Sequence, residues 1–345
     1  MSVRSESSDS ASADKSTSST ITLANGQQIT TYHPQQRFDL LEGDPALVGP
    51  GAADLVNLAL SRTPDDGRLR VAFDALHAQL RDVFNYVPAE VQLDEPNTVH
   101  GPRQTAEGSD ASVNWSGAHV GPPEHQFLDG VIARWVVPNI EARTPNVKEF
   151  MSCWIGIDDE SVGGTVCQAG IGCDVLRTGD TETTSFYPFF EWFPAAQVKI
   201  TNLPVGPGDT VFVTLRLDGD SQATATFVNE TTFFDATSVT FTAPPGSKLS
   251  GFGAEWIVAA PTVGGQLSTL PSYGEVFFTD CVAFVSGFRR FKVRPRKGDA
   301  SGSGQVGGGI DMQDESGTVS EGTVLTDTVV RCRYVGPSSA AKQGT

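Results

Sequence analysis

The chain has 345 residues, with 24 Lys and Arg against 41 Asp and Glu and a formal charge of −17 at pH 7. That charge repels phosphate backbones and anionic membrane surfaces, which excludes nucleic acid and membranes as partners of the whole molecule. Hydrophobic residues make up 39 % of the chain, enough for a packed core, and no apolar run approaches the roughly 18 residues of a membrane helix.

Residues 1–20 are rich in Ser, Asp and Ala and bury too little apolar surface to offset their ordering entropy, so a disordered tail is expected. The tail has no apolar h-region, so the chain as written carries no secretory signal and its compartment stays open. Residues 21–108 are read as a helical segment and linker. Leu69, Phe73, Leu76, Leu80, Val83 and Val87 alternate between spacings of four and three, the stripe of an amphipathic helix. A weaker helical stretch around Leu55, Leu58 and Leu60 precedes it, and Thr63-Pro64-Asp65-Asp66-Gly67 separates the two. The Pro- and Gly-containing stretch from Pro88 to Ser112 reads as a linker, with a domain boundary near residue 110.

From Asn114 onward the period changes to two. Val131–Val137 and Thr210–Leu217 alternate apolar and polar residues, and further runs follow at 223–228, 237–242, 254–260, 274–285 and 324–335, punctuated by Gly/Pro turns. Many short strands without intervening helices predict an all-β sandwich or jelly roll over 110–336, with a second disordered tail at 337–345. All five Trp lie in this part, so its core and any cleft are built there.

Familiar catalytic signatures are absent: there is no HExxH, GxSxG, Asp-Thr/Ser-Gly or paired CxxC. Gly302-Ser303-Gly304-Gln305-Val306-Gly307 fits GxGxxG but opens no helix and reads as a loop. The five His are scattered, and no spacing supports a His triad or a metal site; no cofactor is expected. What remains are carboxylates inside aromatic runs, Phe189-Phe190-Glu191-Trp192-Phe193 and Gly253-Ala254-Glu255-Trp256-Ile257. A charge in an apolar strand needs a partner or a purpose. Either each Glu faces a concave aromatic surface while the neighbouring Trp packs inward, or it is a rim carboxylate facing solvent.

These landmarks, in order, carry a resemblance: Asn114-Trp115-Ser116-Gly117-Ala118, Trp154-Ile155-Gly156-Ile157-Asp158, Gln168-Ala169-Gly170, Glu191-Trp192-Phe193-Pro194, Ala254-Glu255-Trp256-Ile257-Val258 and Gly274-Glu275-Val276-Phe277-Phe278. Over about 114–336 the chain resembles the glutamic peptidases, the eqolisins. The resemblance implies a concanavalin-like sandwich of two bent antiparallel sheets, to which the N-terminal region adds a small helical appendage. It also implies a catalytic dyad that matches Gln168 and Glu255, and substrate-cleft positions that match Trp154, Asp158 and Glu191, with Trp256 grouped among them as a neighbour of Glu255. The chain departs from the family where Ala259-Ala260 and Ala195 replace acids. Its first 108 residues also hold 8 basic and 15 acidic residues, where a basic prosegment is usual.

The implied function is an acid-acting endopeptidase that works on polypeptides as a monomer. A Glu base deprotonates water, and an amide that does not titrate stabilises the oxyanion. Two rivals stay open: a jelly-roll glycoside hydrolase using Glu191 and Glu255, and a lectin-like binding module without turnover. Cys167 and Cys173 are close enough in sequence for a hairpin-stapling disulfide, with buried free thiols as the alternative. Arg289–Lys297 is a basic run that reads as a charged edge strand. Asn114-Trp115-Ser116 and Asn229-Glu230-Thr231 fit the glycosylation sequon.

Overall fold

The computed structural model describes residues 18–32, 85–94, 98–101, 111–122, 126–158, 164–232, 235–285, 292–293 and 307–336. Among them are 23 strands and no helix. The first sheet, which carries the site, is antiparallel. It runs β4 (Val91–Leu93), β12 (Val198–Ile200), β11 (Thr181–Trp192), β10 (Val166–Thr178), β9 (Lys148–Asp158), β16 (Gly253–Ala259), β7 (Trp115–Val120) and β21 (Gly307–Asp314). The second runs β1 (Ser18–Thr22), β2 (Gln28–Tyr32), β15 (Asp235–Thr242), β14 (Gln222–Asn229), β13 (Thr210–Leu217), β8 (Leu128–Val136), β19 (Glu275–Val285) and β20 (Lys292–Val293). β3 (Asn85–Tyr86) lies parallel to the start of β15.

β22 (Gly317–Thr326) and β23 (Val329–Tyr334) link β21 to the first half of β19 and so close one flank of the sandwich. β6 (Ala111–Ser112) runs parallel to β21, and β5 (Thr98–Val99), β17 (Thr262–Val263) and β18 (Gln266–Leu267) form a small separate sheet.

The pleat sorts side chains between two apolar clusters. Ile155, Ile157, Ala169, Ile171, Phe190, Trp192, Ala254, Trp256 and Val258 point from the first sheet toward Trp135, Val213, Phe227 and Phe241 of the second. On the opposite face, Trp115, Trp154, Val166, Phe189, Ile257, Ala259 and Ile310 form a smaller cluster, with Tyr187 and Phe193 against it. The first sheet is therefore apolar on both sides, and its second face forms the floor of the site.

The period-two runs from Val131 to Val285 coincide with strands, and the run at 324–335 splits into β22 and β23 at the turn between Thr326 and Val329. The N-terminal reading changes more. The helical stripe from Leu69 to Val83 lies outside the described residues, but Val87 is not helical, and its amide donates to the Ala236 carbonyl (2.8 Å). Ser18–Thr22 and Gln28–Tyr32 form a hairpin on β15, and the stretch read as a linker holds β4, β5 and β6. Of the basic run only Lys292 and Val293 are described, paired with Phe284 and Ala283.

The disulfide reading is corrected. Cys167 and Cys173 stand on the same strand, about 20 Å apart at the rise of an extended chain, far beyond disulfide reach. All five Cys are free and buried. Burial pushes their thiols well above the ordinary range, that of Cys332 to about 12. Both sequons are sequestered too: Asn114 is buried, and buried Asn229 donates to Asp209 Oδ2 (2.9 Å) and to the Pro204 carbonyl (3.2 Å).

Candidate active site

Registers across the first sheet place one residue of each central strand in a single row: Glu191 on β11, Gln168 on β10, Gly156 on β9, Glu255 on β16 and His119 on β7. Directly opposed residues of antiparallel strands share a face, so the row is a polar line crossing the Trp154 floor. Gln168 and Glu255 lie two strand spacings apart, about 10 Å between backbones. Gly156 between them leaves the gap. A Cβ there would lie 3.2 Å from Glu255 Oε2 and 2.6 Å from the Trp154 ring.

Trp154 occupies the next row. It faces Gly170 on β10 and Ile257 on β16, and its ring meets that of Trp115 edge-on at 5.0 Å. Gly170 makes this possible, because a Cβ there would come within 2.5 Å of Trp154 Cβ and 2.2 Å of the Cys153 carbonyl. The landmarks Trp154-Ile155-Gly156 and Gln168-Ala169-Gly170 thus interlock, each Gly clearing space for the partner strand's large or reactive side chain.

Gln168, Glu191 and Glu255 are each no more than 1 % exposed. Burial pushes the Glu191 carboxyl above its ordinary range, and His100 and Gln168 pull it back only part of the way. His100 arrives from the segment that follows β5. Its amide donates to both Glu191 oxygens (2.9 and 3.1 Å), its Nδ1 lies 2.8 Å from Oε2, and its ring stacks on Phe189 at 4.4 Å. Its carbonyl accepts a hydrogen bond from Gln168 Nε2 (2.7 Å).

Of the residues expected in the site, Gln168, Glu191, Glu255 and Trp154 share one face. Asp158 ends β9, its backbone opposite Val166 and Gly253, and its side chain lies outside the described residues. Trp256 is a correction: it points into the core between the sheets and donates from Nε1 to the Ile132 carbonyl (2.9 Å). Strand alternation forces this, since Glu255 beside it lies on the Gly156 and Trp154 face of the sheet. Sequence reasoning missed His100, Phe189, His119 and Gly156. His100 is 68 positions from Gln168 and carries no local signal; Gly156 lay within a quoted landmark and Phe189 within the aromatic run around Glu191, and only the register assigns them to the row and floor. No cluster of His, Cys, Asp or Glu among the described residues could hold a metal ion.

The model of the peptidase A4 family matches residues 113–334, which contain β7 through β23 and every residue of the polar row. The chain belongs to the peptidase A4 family. It is 29 % identical over 136 residues to Aspergillopepsin-2 of Aspergillus niger, an alignment covering 39 % of this chain and 46 % of that protein, so just under half of the relative's length is matched. Scytalido-glutamic peptidase, solved with a peptide-based transition-state analogue, superposes with a TM-score of 0.51 at 22 % identity, over 65 % of this chain and 98 % of that one. Aspergilloglutamic peptidase from Aspergillus niger gives 0.44 at 25 % identity, over 54 % and 99 %. Membership in the A4 family and the strand arrangement agree on the bent β-sandwich expected from the landmarks.

Proposed function

We propose that this chain is a glutamic endopeptidase acting in acid, with Glu255 as general base and then general acid, and Gln168 as oxyanion donor. The observation that carries this reading is the single row in which Gln168 and Glu255 flank the bare backbone of Gly156, with a main-chain carbonyl already hydrogen-bonded to the Gln168 amide. A water held by ionised Glu255 attacks a carbonyl carbon over Gly156 and passes its proton to the carboxylate. Charge develops on the carbonyl oxygen, where the Gln168 N–H is aimed. The proton then goes to the departing amine nitrogen and the peptide bond breaks. An amide donor keeps its hydrogens at any pH, so the oxyanion stabiliser survives in acid, where only the base limits turnover. The Trp154 floor, with Phe189 and Phe193 beside it, favours bulky side chains near the cut bond, and we read Asp158, the last residue of β9, as a further substrate-binding residue.

The glycosidase pair is disfavoured. Glu191 and Glu255 are three strand spacings apart, about 14 Å between backbones, with Gln168 and Gly156 between them. Both Glu191 oxygens are also engaged by His100.

The test is hydrolysis of a denatured protein between about pH 2 and 8, with pepstatin present, by wild type, Glu255→Gln and Gln168→Ala. Activity confined to acid is expected, abolished in the first variant and lowered about 100- to 1,000-fold in the second. Equal rates in all three, or a maximum above neutrality, would sink the reading.

A further inference from the structure

We propose that His119 is a positioning residue for Glu255: its imidazolium, presented from the neighbouring strand, keeps the general base ionised and so sets how far into acid the peptidase works. The inference rests on the peptidase reading and assigns the lower limit of its pH range to a named residue.

The register supplies the geometry. Glu255 on β16 is paired with Gly156 of β9 on one side and directly with His119 of β7 on the other. Side chains directly opposed on antiparallel strands start from Cβ atoms about 4.5–5.5 Å apart and rise from the same face, so the imidazole and the carboxylate are neighbours within the polar row. His119 is the one residue of β7 that is not buried, whereas Glu255 is only 1 % exposed. On its other side His119 is paired with Gly308 of β21, where an added Cβ would meet nothing within 4 Å. The imidazole therefore stands between an open flank and the buried carboxylate.

The elements packed around this pair bring no rival cation to it. On β9, Gly156 and Trp154 carry no charge, and Asp158 stands one step farther along, opposite Gly253. The positions flanking the pair on its own face are Gly253 and Ile257 of β16, Gly117 of β7, and Gly308 and Ile310 of β21. Asp311 of β21 accepts a hydrogen bond from the Gly322 amide (2.9 Å). β22 and β23, packed on β7, bring Glu321, Arg331 and Arg333, where Arg333 pairs with Glu321 (2.6 Å) and Arg331 with Glu275 (3.8 Å). Glu191 lies three strand spacings from Glu255 and is engaged by His100. Among the described residues, His119 is thus the group at this end of the row that gains a positive charge in acid.

Two opposing effects then act on the base. Burial disfavours the charged form of a carboxylate, and a carboxyl that has already taken a proton from solvent does not activate water. A cation within about 4–6 Å favours the charged form and lowers a carboxyl pKa by about 1–3 units. An imidazole, with an ordinary pKa of about 6.5, supplies that cation below about pH 5, the range in which the base is otherwise lost. Because His119 is partly open to water, screening holds the effect near the lower end, about one unit.

The experiment is the pH profile of kcat/KM from about pH 2 to 7 for the full chain on one uncharged peptide, with wild type beside His119→Gln, which keeps hydrogen-bonding capacity but never ionises, and His119→Lys, which restores a cation. Circular dichroism checks that each protein is folded. The acid limb is expected to move up by about one pH unit in His119→Gln, a loss of about 10-fold at the acid end. The plateau stays level or rises slightly, because a less stabilised carboxylate is the stronger base. His119→Lys returns the limb toward its wild-type position. In wild type alone, raising the ionic strength from about 0.01 to 1 M moves the limb in the same direction as His119→Gln, since salt screens the pair. A limb that stays in place in His119→Gln and in high salt, or a loss equal at every pH and shared by His119→Lys, overturns the proposal while acid hydrolysis leaves the peptidase reading standing. If wild type hydrolyses nothing at any pH, the peptidase reading itself falls and takes the proposal with it.

Discussion

Gly156 is the smallest residue of the polar row and the one whose change has the clearest consequence. A methyl group there would lie 3.2 Å from Glu255 Oε2 and 2.6 Å from the Trp154 ring, in the space the proposed mechanism gives to water and the carbonyl carbon. Gly156→Ala is expected to lower kcat by at least about 100-fold, since a misplacement near 1 Å at the reacting centre costs that much, while circular dichroism still reports a folded sandwich. Glu191 makes a prediction of opposite character. Its carboxyl is raised by burial, so the folded state holds the proton more tightly than the unfolded chain does. The sign follows: stability is greatest below the ordinary Glu range and falls as pH rises from there through the raised value. Melting temperature measured against pH should show this decline in wild type and a flatter profile in Glu191→Gln; a wild-type curve that rises through the same window would contradict the direction.

At the scale of elements, β9, β10 and β16 are buried along nearly all of their described side chains, because the first sheet has an apolar cluster on each face. Strands covered on both sides need no alternation of polar and apolar residues. This is why Lys148–Asp158 and Val166–Thr178 did not stand out by period, while β13, with Thr and Arg on one side of its pleat, coincided with Thr210–Leu217. What marks β9 and β10 instead is their mutual fit, with Gly170 directly opposite Trp154. Gly170→Ala forces a Cβ into the Cys153 carbonyl and Trp154 Cβ, contacts that only backbone movement relieves. A destabilisation of about 1–3 kcal/mol is expected from such overpacking, read as a lowered denaturant midpoint. An unchanged midpoint would mean that the two strands do not approach this closely.

For the whole molecule, the two sheets hold their core without covalent links. All five Cys are buried, and Cys173 and Cys332 lie near enough to Cys153 to add to the rise that burial gives its thiol. A thiol reagent should therefore find no reactive Cys in the native protein and five on unfolding, under non-reducing conditions; fewer on unfolding would reveal a disulfide. The N-terminal region is woven into both sheets, through β1, β2 and β3 beside β15 and through β4 beside β12. Its role in the fold is thus larger than the polar, Ser-rich start suggests.

Strand periodicity was enough to read an all-β sandwich, and the order of the landmarks was enough to read the family, because both are local properties of the chain; the same landmarks name Gln168 and Glu255, which the registers set in one row and whose catalytic role is proposed. They also left Trp256 on the wrong side of its strand, although alternation beside Glu255 already contained the answer. Register, and hence the row from Glu191 to His119, was decided only by the tertiary structure, since pairing depends on how every strand packs at once. The same holds for His100. Its place between Glu191, Phe189 and Gln168 arises because Asp94, Thr98 and β17 fix a path across the polar row, and a contact between residues 68 positions apart leaves no mark in the residues beside it.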